Sequence, residues 1–260
     1  MFGLLLMIAC AGAAYWMLTA SAFRLGTPQL AANLRYTDPQ AVLAAAGVGS
    51  GEHPNVVGLR TDSMARAIAS FPAVSDVDVR VSLPNDVSIS VAERVPVLEL
   101  QRAGLTYLVD GDGLVLAQVD PARATALDLP TFDDRRTKFV DDISVGGSLD
   151  PIDLQSMLQI GAITPALIDS TASSLSLQIT DDNGFVISAQ PNGWQAIFGE
   201  YTPNLRPVDI IPRQVQCLRS LLGAGESTVQ TVYLAPLDDG CGTFLPTPGP
   251  RTLPSPASAR

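Results

Sequence analysis

The residues most able to do chemistry in this sequence are carboxylates, and the first group is the tetrad Asp110-Gly-Asp112-Gly113. Two aspartates at this spacing resemble the start of a calcium loop, which needs another oxygen ligand two positions on and an acidic ligand at its end. Leu114 and Pro121 occupy those two positions. Because Asp and Gly are also typical turn residues, the tetrad is predicted to be a hairpin turn and not a metal site.

The other ionisable candidates do not form a catalytic set. The pairs Asp133-Asp134 and Asp141-Asp142 lie in stretches typical of loops, where carboxylates are usually solvated. The single histidine, His53, lies in a Gly-rich loop beside a proline, without a second histidine for a metal site. The sequence also lacks a Gly-x-Ser-x-Gly elbow and a Ser-x-x-Lys motif. We therefore expect a protein that is not an enzyme and has no metal, cofactor or small-molecule substrate.

Three cysteines leave one possible covalent link. Cys10 lies in an apolar segment, where it acts as a small apolar residue. Cys217 and Cys241 could pair if this part of the chain is exported, which would stabilise the fold by about 3 kcal/mol. Their distance cannot be derived from the sequence, so a disulfide and two free thiols both remain open.

Composition excludes one large class of partner. The 260 residues are 47% hydrophobic, enough for one large or two modest domains. The formal net charge is -10 and the isoelectric point is near 4.4. Because this charge repels phosphate backbones, we expect no binding to nucleic acid.

The N-terminal segment, residues 1–23, has no charged side chain. As a helix it would span about 33 Å, which predicts a transmembrane helix that anchors the chain to the lipid bilayer. The sequence Ala20-Ser21-Ala22 resembles a cleavage site, so a signal peptide removed from a secreted protein is the alternative. Since no positive residue precedes the segment, the true start is expected upstream.

The next part of the chain predicts a small α+β domain. Val77, Val79 and Val81 alternate with polar residues, and after the turn at Pro84-Asn85 the pattern resumes from Val87 to Val91. This predicts a hairpin with one apolar face. Helices beginning near Asp38 and near Thr61-Asp62 would cover that face, after a first strand within residues 30–36.

The second half predicts short strands in a mostly antiparallel sheet with helices on one face. Strands are expected at 105–110, 114–119, 175–179, 185–189, 194–198 and 229–235, and helices near 150–161 and 213–222. Residues 246–260 are too rich in Pro and Ser to form a core and are predicted to be disordered.

Several motifs occur in an order that resembles one family. They are Phe71-Pro72-Ala73-Val74, Leu83-Pro84-Asn85, Glu93-Arg94-Val95-Pro96, Leu108-Val109-Asp110 and Leu129-Pro130. Together they resemble the bacterial cell-division family FtsQ/DivIB over about residues 20–240. The resemblance implies a transmembrane helix at 1–23, a β-α-α-β-β POTRA domain at 24–98, a β domain at 99–245 and the disordered tail at 246–260. Glu93, Arg94 and Pro96 would be the motif that closes the POTRA domain.

The resemblance also implies a function. The protein would be a non-enzymatic single-pass membrane scaffold of the divisome, with its body outside the cytoplasm and concentrated at the septum. The edge of its last strands would recruit small membrane proteins similar to FtsB and FtsL, and so couple division to septal peptidoglycan synthesis. The residues carried over to that edge are Val232, Tyr233, Leu234 and Phe244. The alternatives are a secreted binding module and an envelope hydrolase that would use Asp133 and Asp134.

Overall fold

The computed structural model describes residues 2–49, 54–122, 127–138, 142–191, 193–204, 206–236 and 240–246. The helices are α1 (Phe2–Thr19), α2 (Pro39–Ala45), α3 (Thr61–Ile68), α4 (Pro151–Gly161) and α5 (Ile211–Gly223). The first strands are β1 (Gln29–Ala31), β2 (Val74–Ser82), β3 (Asp86–Glu93), β4 (Pro96–Arg102), β5 (Leu105–Asp110) and β6 (Val115–Val119). The later strands are β7 (Thr131–Asp134), β8 (Ser174–Thr180), β9 (Gly184–Gln190), β10 (Gln195–Gly199), β11 (Val229–Leu234) and β12 (Gly242–Pro246).

The chain divides into two compact units. The first contains residues 1–96, 107–119 and 143–148, and the second contains 97–106, 120–142 and 149–260. The change at residue 96 lies close to the boundary predicted between 98 and 99. The first unit nevertheless also includes two later segments, residues 107–119 and 143–148.

The predicted transmembrane helix at residues 1–23 is wrong. Helix α1 ends at Thr19, and a separate 3-10 turn, Ser21–Phe23, follows it. At about 1.5 Å per residue, 18 helical residues extend about 27 Å, less than the roughly 30 Å of a hydrocarbon core. Among the residues that the structure describes, none of the helices combines the length and the apolar character needed to cross a membrane.

The first unit confirms the predicted order of strand, helix, helix, strand, strand. Its sheet has the order β1-β3-β2, in which β1 runs parallel to β3 and β2 pairs antiparallel with it. The Asp38 side chain accepts a hydrogen bond from the Gln40 N–H and so begins α2, with Pro39 in the first turn.

The apolar face of the β2–β3 hairpin forms the core of this unit. It contains Val87, Ile89 and Val91, which are buried, and α2 and α3 contribute the buried residues Val42, Met64 and Ile68. Each fully buried Val or Ile stabilises a fold by roughly 1.5–3 kcal/mol, so the alternating pattern contributes several kcal/mol, on that order of magnitude, to the stability of this unit.

The second unit contains a mixed sheet. Within it the strands lie in the order β12-β11-β10-β9-β8-β7-β4. The pairs β8–β9, β9–β10 and β11–β12 are antiparallel, whereas β4–β7, β7–β8 and β10–β11 are parallel. The prediction of a mostly antiparallel sheet did not include these parallel pairs. Two of them arise from helical crossovers, because α4 connects β7 to β8 and α5 connects β10 to β11.

The helices of this unit follow the predicted arrangement. The Asp150 side chain accepts from the N–H groups of Ile152 and Asp153 and caps α4. Helix α5 packs against β10 and β11 and also contacts α4. The sheet residues Phe132, Ile187, Phe198 and Val232 are buried in the core of this unit.

Candidate partner-docking edge

The last strand of the second unit is the candidate site. Strand β12 pairs antiparallel with β11, with Phe244 opposite Val232 and Thr243 opposite Tyr233. Within the described part of the chain, β12 ends the sheet, and all five of its residues are exposed. Such an edge offers unpaired backbone N–H and C=O groups.

Backbone alternation tells which groups of β12 face outward. The Ala235 N–H donates to the Cys241 carbonyl over 3.4 Å, which makes that pair a hydrogen-bonded one. Because hydrogen-bonded and non-hydrogen-bonded pairs alternate along an antiparallel ladder, Thr243 and Leu245 bond to β11. The backbone groups of Gly242 and Phe244 therefore face away from β11. Pro246 belongs to the same outward set, where its missing N–H costs no ladder bond.

The last strand predicted from the sequence is 229–235, because the residues after Pro236 lack the alternating pattern of a further strand. The structure shows that β12 is that further strand and covers the edge of β11. The reason is that Gly242–Pro246 becomes a strand through pairing, not through its own weak propensity.

The four predicted contact residues occupy different positions. Val232 and Leu234 are 0% and 3% exposed and belong to the core. Tyr233 and Phe244 are 43% and 45% exposed. Since Phe244 lies opposite Val232, it projects from the other face of the sheet than Tyr233. Contacts with a partner, which stay a prediction for all four, can involve only the last two side chains without disturbing the core.

Two links from α5 hold the end of β11 and the start of β12. Cys217 on α5 and Cys241 form a disulfide with an S–S distance of 2.07 Å. The buried Gln214, one turn earlier, donates from Nε2 to the carbonyls of Phe198 and Ala235 over 3.2 and 3.1 Å. Gln214 also accepts a hydrogen bond from the Tyr201 hydroxyl over 2.6 Å. Helix α5 is therefore the support of the edge.

Sequence reasoning missed Gln214, because one glutamine in an amphipathic helix carries no distinguishing signal.

The backbone conformation at the start of β12 requires glycine at position 242. Its φ is +112°, and a Cβ atom placed there would lie 2.0 Å from the Tyr233 carbonyl oxygen. No L-residue with a side chain fits this approach without moving the backbone.

The predicted motif Glu93-Arg94-Pro96 has a structural role in the first unit. The Glu93 carboxylate accepts hydrogen bonds from the backbone N–H groups of Arg35, Tyr36 and Thr37, with shortest distances of 2.6, 3.0 and 2.8 Å. Glu93 thereby fixes the segment that precedes α2 to the end of β3. Pro96 begins β4.

Arg94 binds Asp110, the first residue of the tetrad Asp110-Gly-Asp112-Gly113. Its Nη1 lies 2.9 Å from Asp110 Oδ2, while Asp110 Oδ1 accepts from the N–H groups of Asp112 and Leu114. Both carboxylate oxygens of Asp110 are thus used to build the turn between β5 and β6. This confirms the prediction of a hairpin turn.

The Asp133-Asp134 pair is bound by two arginines. Asp133 bonds to Arg135, and Asp134 bonds to Arg136, whose Nη1 also lies 2.7 Å from Asp153. Burial alone would lower the pKa of Arg136, but Asp134 and Asp153 outweigh it and raise that pKa. Burial raises the pKa of Asp153, although Arg136 opposes this shift. These carboxylates act as counter-ions.

A second carboxylate cluster was missed by the sequence. Glu226 accepts hydrogen bonds from the Ser170 hydroxyl, from the N–H and hydroxyl of Thr171, and from Trp194 Nε1 over 2.7 Å. Burial raises the pKa of Glu226, but these hydrogen bonds outweigh burial and lower it to about 2. The cluster joins three separate segments of the second unit.

Some of the remaining sequence candidates cannot be placed. His53, Asp141 and residues 247–260 lie outside the described residues. Among the residues that are described, no group of three or more His, Cys, Asp or Glu side chains could hold a metal ion.

Comparison with known proteins identifies the type of domain in the first unit. A family model for the FtsQ-type POTRA domain matches residues 32–94. A protein of Streptomyces collinus named Cell division protein FtsQ is 32% identical over 118 residues, which are 45% of this chain and 44% of that protein. The protein of the same name from Geotalea daltonii is 33% identical over 108 residues, or 41% of this chain and 38% of that protein. The protein of the same name from Anaeromyxobacter sp. is 36% identical over 94 residues, which are 36% of this chain and 30% of that protein.

The chain spans less than half of the length of these curated relatives. The matched POTRA segment includes α2, α3, the β2–β3 hairpin and the Glu93 carboxylate that holds the segment before α2. Fold, motif and relatives agree that residues 32–94 form an FtsQ-type POTRA domain and that the chain is similar to proteins named Cell division protein FtsQ.

Proposed function

We propose that the protein is a non-enzymatic scaffold of the divisome that recruits its partners at β12. An extended segment of a small division protein similar to FtsB or FtsL would add a strand along this edge. Through that complex the protein would couple division to septal peptidoglycan synthesis. The observation that carries the proposal is that β12 ends the described sheet with all of its residues exposed.

The geometry indicates which backbone groups would bind. A partner strand would bond to Gly242 and Phe244, whose N–H and C=O groups face away from β11. The side chains of Tyr233 and Phe244 would provide specificity on the two faces of the extended sheet. Main-chain bonds alone do not select a partner, so both parts are needed.

The proposal includes a location outside the cytoplasm. It is supported by the Cys217–Cys241 disulfide, because disulfides persist in oxidising compartments and are rare in the cytosol. Alkylation of thiols during cell lysis tests it. We expect that Cys217 and Cys241 escape alkylation in the native protein; alkylation of both would contradict this location.

Two substitutions at one position test the docking edge. Phe244→Pro removes an N–H that faces the partner while keeping the bonds of β12 to β11, whereas Phe244→Ala removes only the side chain. We expect co-purification with an FtsB-like protein to fall about tenfold or more for Phe244→Pro and clearly less for Phe244→Ala.

Folding must be controlled in this experiment. Thermal unfolding of both variants should match the wild type, because Phe244 is exposed at the end of the sheet. Equal losses in the two variants would mean that the side chain, not the strand edge, binds the partner. If Phe244→Pro co-purified the FtsB-like protein as well as the wild type does, β12 would not be the docking edge.

A further inference from the structure

The two cysteines of the disulfide next to β12 differ in their exposure to solvent. Cys217 is 5% exposed on α5, whereas Cys241 is an exposed residue directly before the strand. Thiol–disulfide exchange requires in-line attack of a thiolate on a reachable sulfur. Of the two residues, Cys241 is the one that lies at the surface, which favours attack of an external thiolate at its sulfur.

The surroundings of Cys217 suit it as the leaving group. Arg213 lies one helical turn before Cys217, and both line the same small cavity together with Cys241. A positive charge in the same cavity favours the thiolate form of a cysteine, which promotes its release.

We propose that Cys241 is a site of thiol–disulfide exchange, attacked by a dithiol oxidoreductase, and that this exchange controls the order of β12. The attacking thiolate forms a mixed disulfide with Cys241 and releases Cys217 as a thiolate, which takes a proton. The second thiol of the oxidoreductase then resolves the mixed disulfide and releases Cys241. The oxidoreductase becomes a disulfide, and the protein gains two electrons and two protons.

The consequence follows from how β12 is held. Once the disulfide opens, β12 still pairs with β11. Its five residues are all exposed, so they contribute little packing against the core. Ala235 keeps its link to Gln214, but it lies before the connection and does not restrain β12 itself. A strand that must be ordered before it can bind a partner binds more weakly.

The site of attack is tested by trapping. The full-length protein with Cys10→Ser, which removes the one free cysteine, is incubated with a thioredoxin whose second active-site cysteine is replaced by serine. We expect a mixed disulfide that mass spectrometry maps to Cys241. A mixed disulfide on Cys217, or none under conditions that trap a control disulfide protein, would overturn the proposal.

The effect on β12 is tested by hydrogen exchange with and without dithiothreitol. We expect the amides of Thr243 and Leu245, which bond to β11, to exchange about tenfold faster or more after reduction. The variant Cys217→Ser/Cys241→Ser should exchange fast without the reductant and should not respond to it. Unchanged exchange in the reduced protein would overturn the proposal.

This inference extends the proposed docking function, and the two can fail separately. Capture of an FtsB-like protein should fall on reduction, in parallel with the loss of order in β12. Equal capture by the oxidised and the reduced protein would show that the exchange site does not affect docking. If the oxidised protein captures no partner, the docking function fails, while the exchange measurement still decides whether the disulfide orders β12.

Discussion

Carboxylates in this protein bind backbone and side-chain donors and so join segments that are distant in the chain. Glu93 joins the end of β3 to residues 35–37, and Glu226 joins Ser170, Thr171 and Trp194. Hydrogen bonds to an ionised group are stronger than neutral ones, and that additional strength is lost when the group is neutralised. Acidic residues here therefore contribute to stability in ways that single substitutions can measure.

Glu93→Gln should destabilise the first unit. The amide keeps the size of the side chain but removes the charge that three backbone N–H groups share, so we expect a loss of about 1–3 kcal/mol in the free energy of unfolding. Urea denaturation measures it. Asp76→Asn, at an exposed position of β2, is the control and should change stability by less than about 0.5 kcal/mol. Equal effects of the two would contradict the role of Glu93.

Glu226 should make the second unit sensitive to acid. Its pKa is lowered from 4.5 to about 2, so the stabilisation from its ionised form is complete above pH 4.5 and is lost as the pH falls toward 2. Glu226→Gln should lower stability at neutral pH and flatten the pH dependence across that window. Trp194 fluorescence reports the change, because its Nε1 donates to Glu226. An unaltered acid transition in the variant would contradict the assignment.

At the scale of the element, β12 depends on its neighbours more than on its own sequence. Gly242–Pro246 contains a glycine and a proline, and its residues are all exposed. What makes it a strand is the pairing with β11, the disulfide to α5 and the backbone conformation that Gly242 permits. Removing any of these should loosen the edge while the core of the unit remains folded.

Gly242→Ala should detach β12. The added Cβ would lie 2.0 Å from the Tyr233 carbonyl oxygen, so the backbone must move. We expect faster hydrogen exchange at Thr243 and Leu245 and weaker capture of the partner. Gly240→Ala is the matched control, since a Cβ there meets nothing within 4 Å. Loss of order in both variants alike would show that the close approach at Gly242 is not the cause.

The same elements show what a sequence can and cannot reveal. The β2–β3 hairpin was predicted because strict alternation from Val77 to Val91 requires one buried face. Strand β12, the Gln214 bonds and the Glu226 cluster were not predicted, because each depends on residues brought together only by the fold. The parallel pairs were missed for a related reason, since alternation gives the face of a strand but not its partner.

At the scale of the whole molecule, the chain combines an FtsQ-type POTRA domain with a mixed sheet whose last strand is exposed. The formal net charge is -10, and several of the carboxylates that produce it are bound to arginine or backbone donors within the chain. The N-terminal helix is shorter than the uncharged stretch predicted, because that stretch continues beyond the helix into a 3-10 turn.

The proposed docking requires a partner strand to pair with the outer edge of β12. Hydrogen exchange of the Gly242 and Phe244 amides, measured with and without a bound FtsB-like protein, reports on that pairing. We expect both amides to exchange fast in the free protein and to slow by about tenfold or more in the complex. If the partner binds while these two amides exchange as fast as before, the docking edge lies elsewhere.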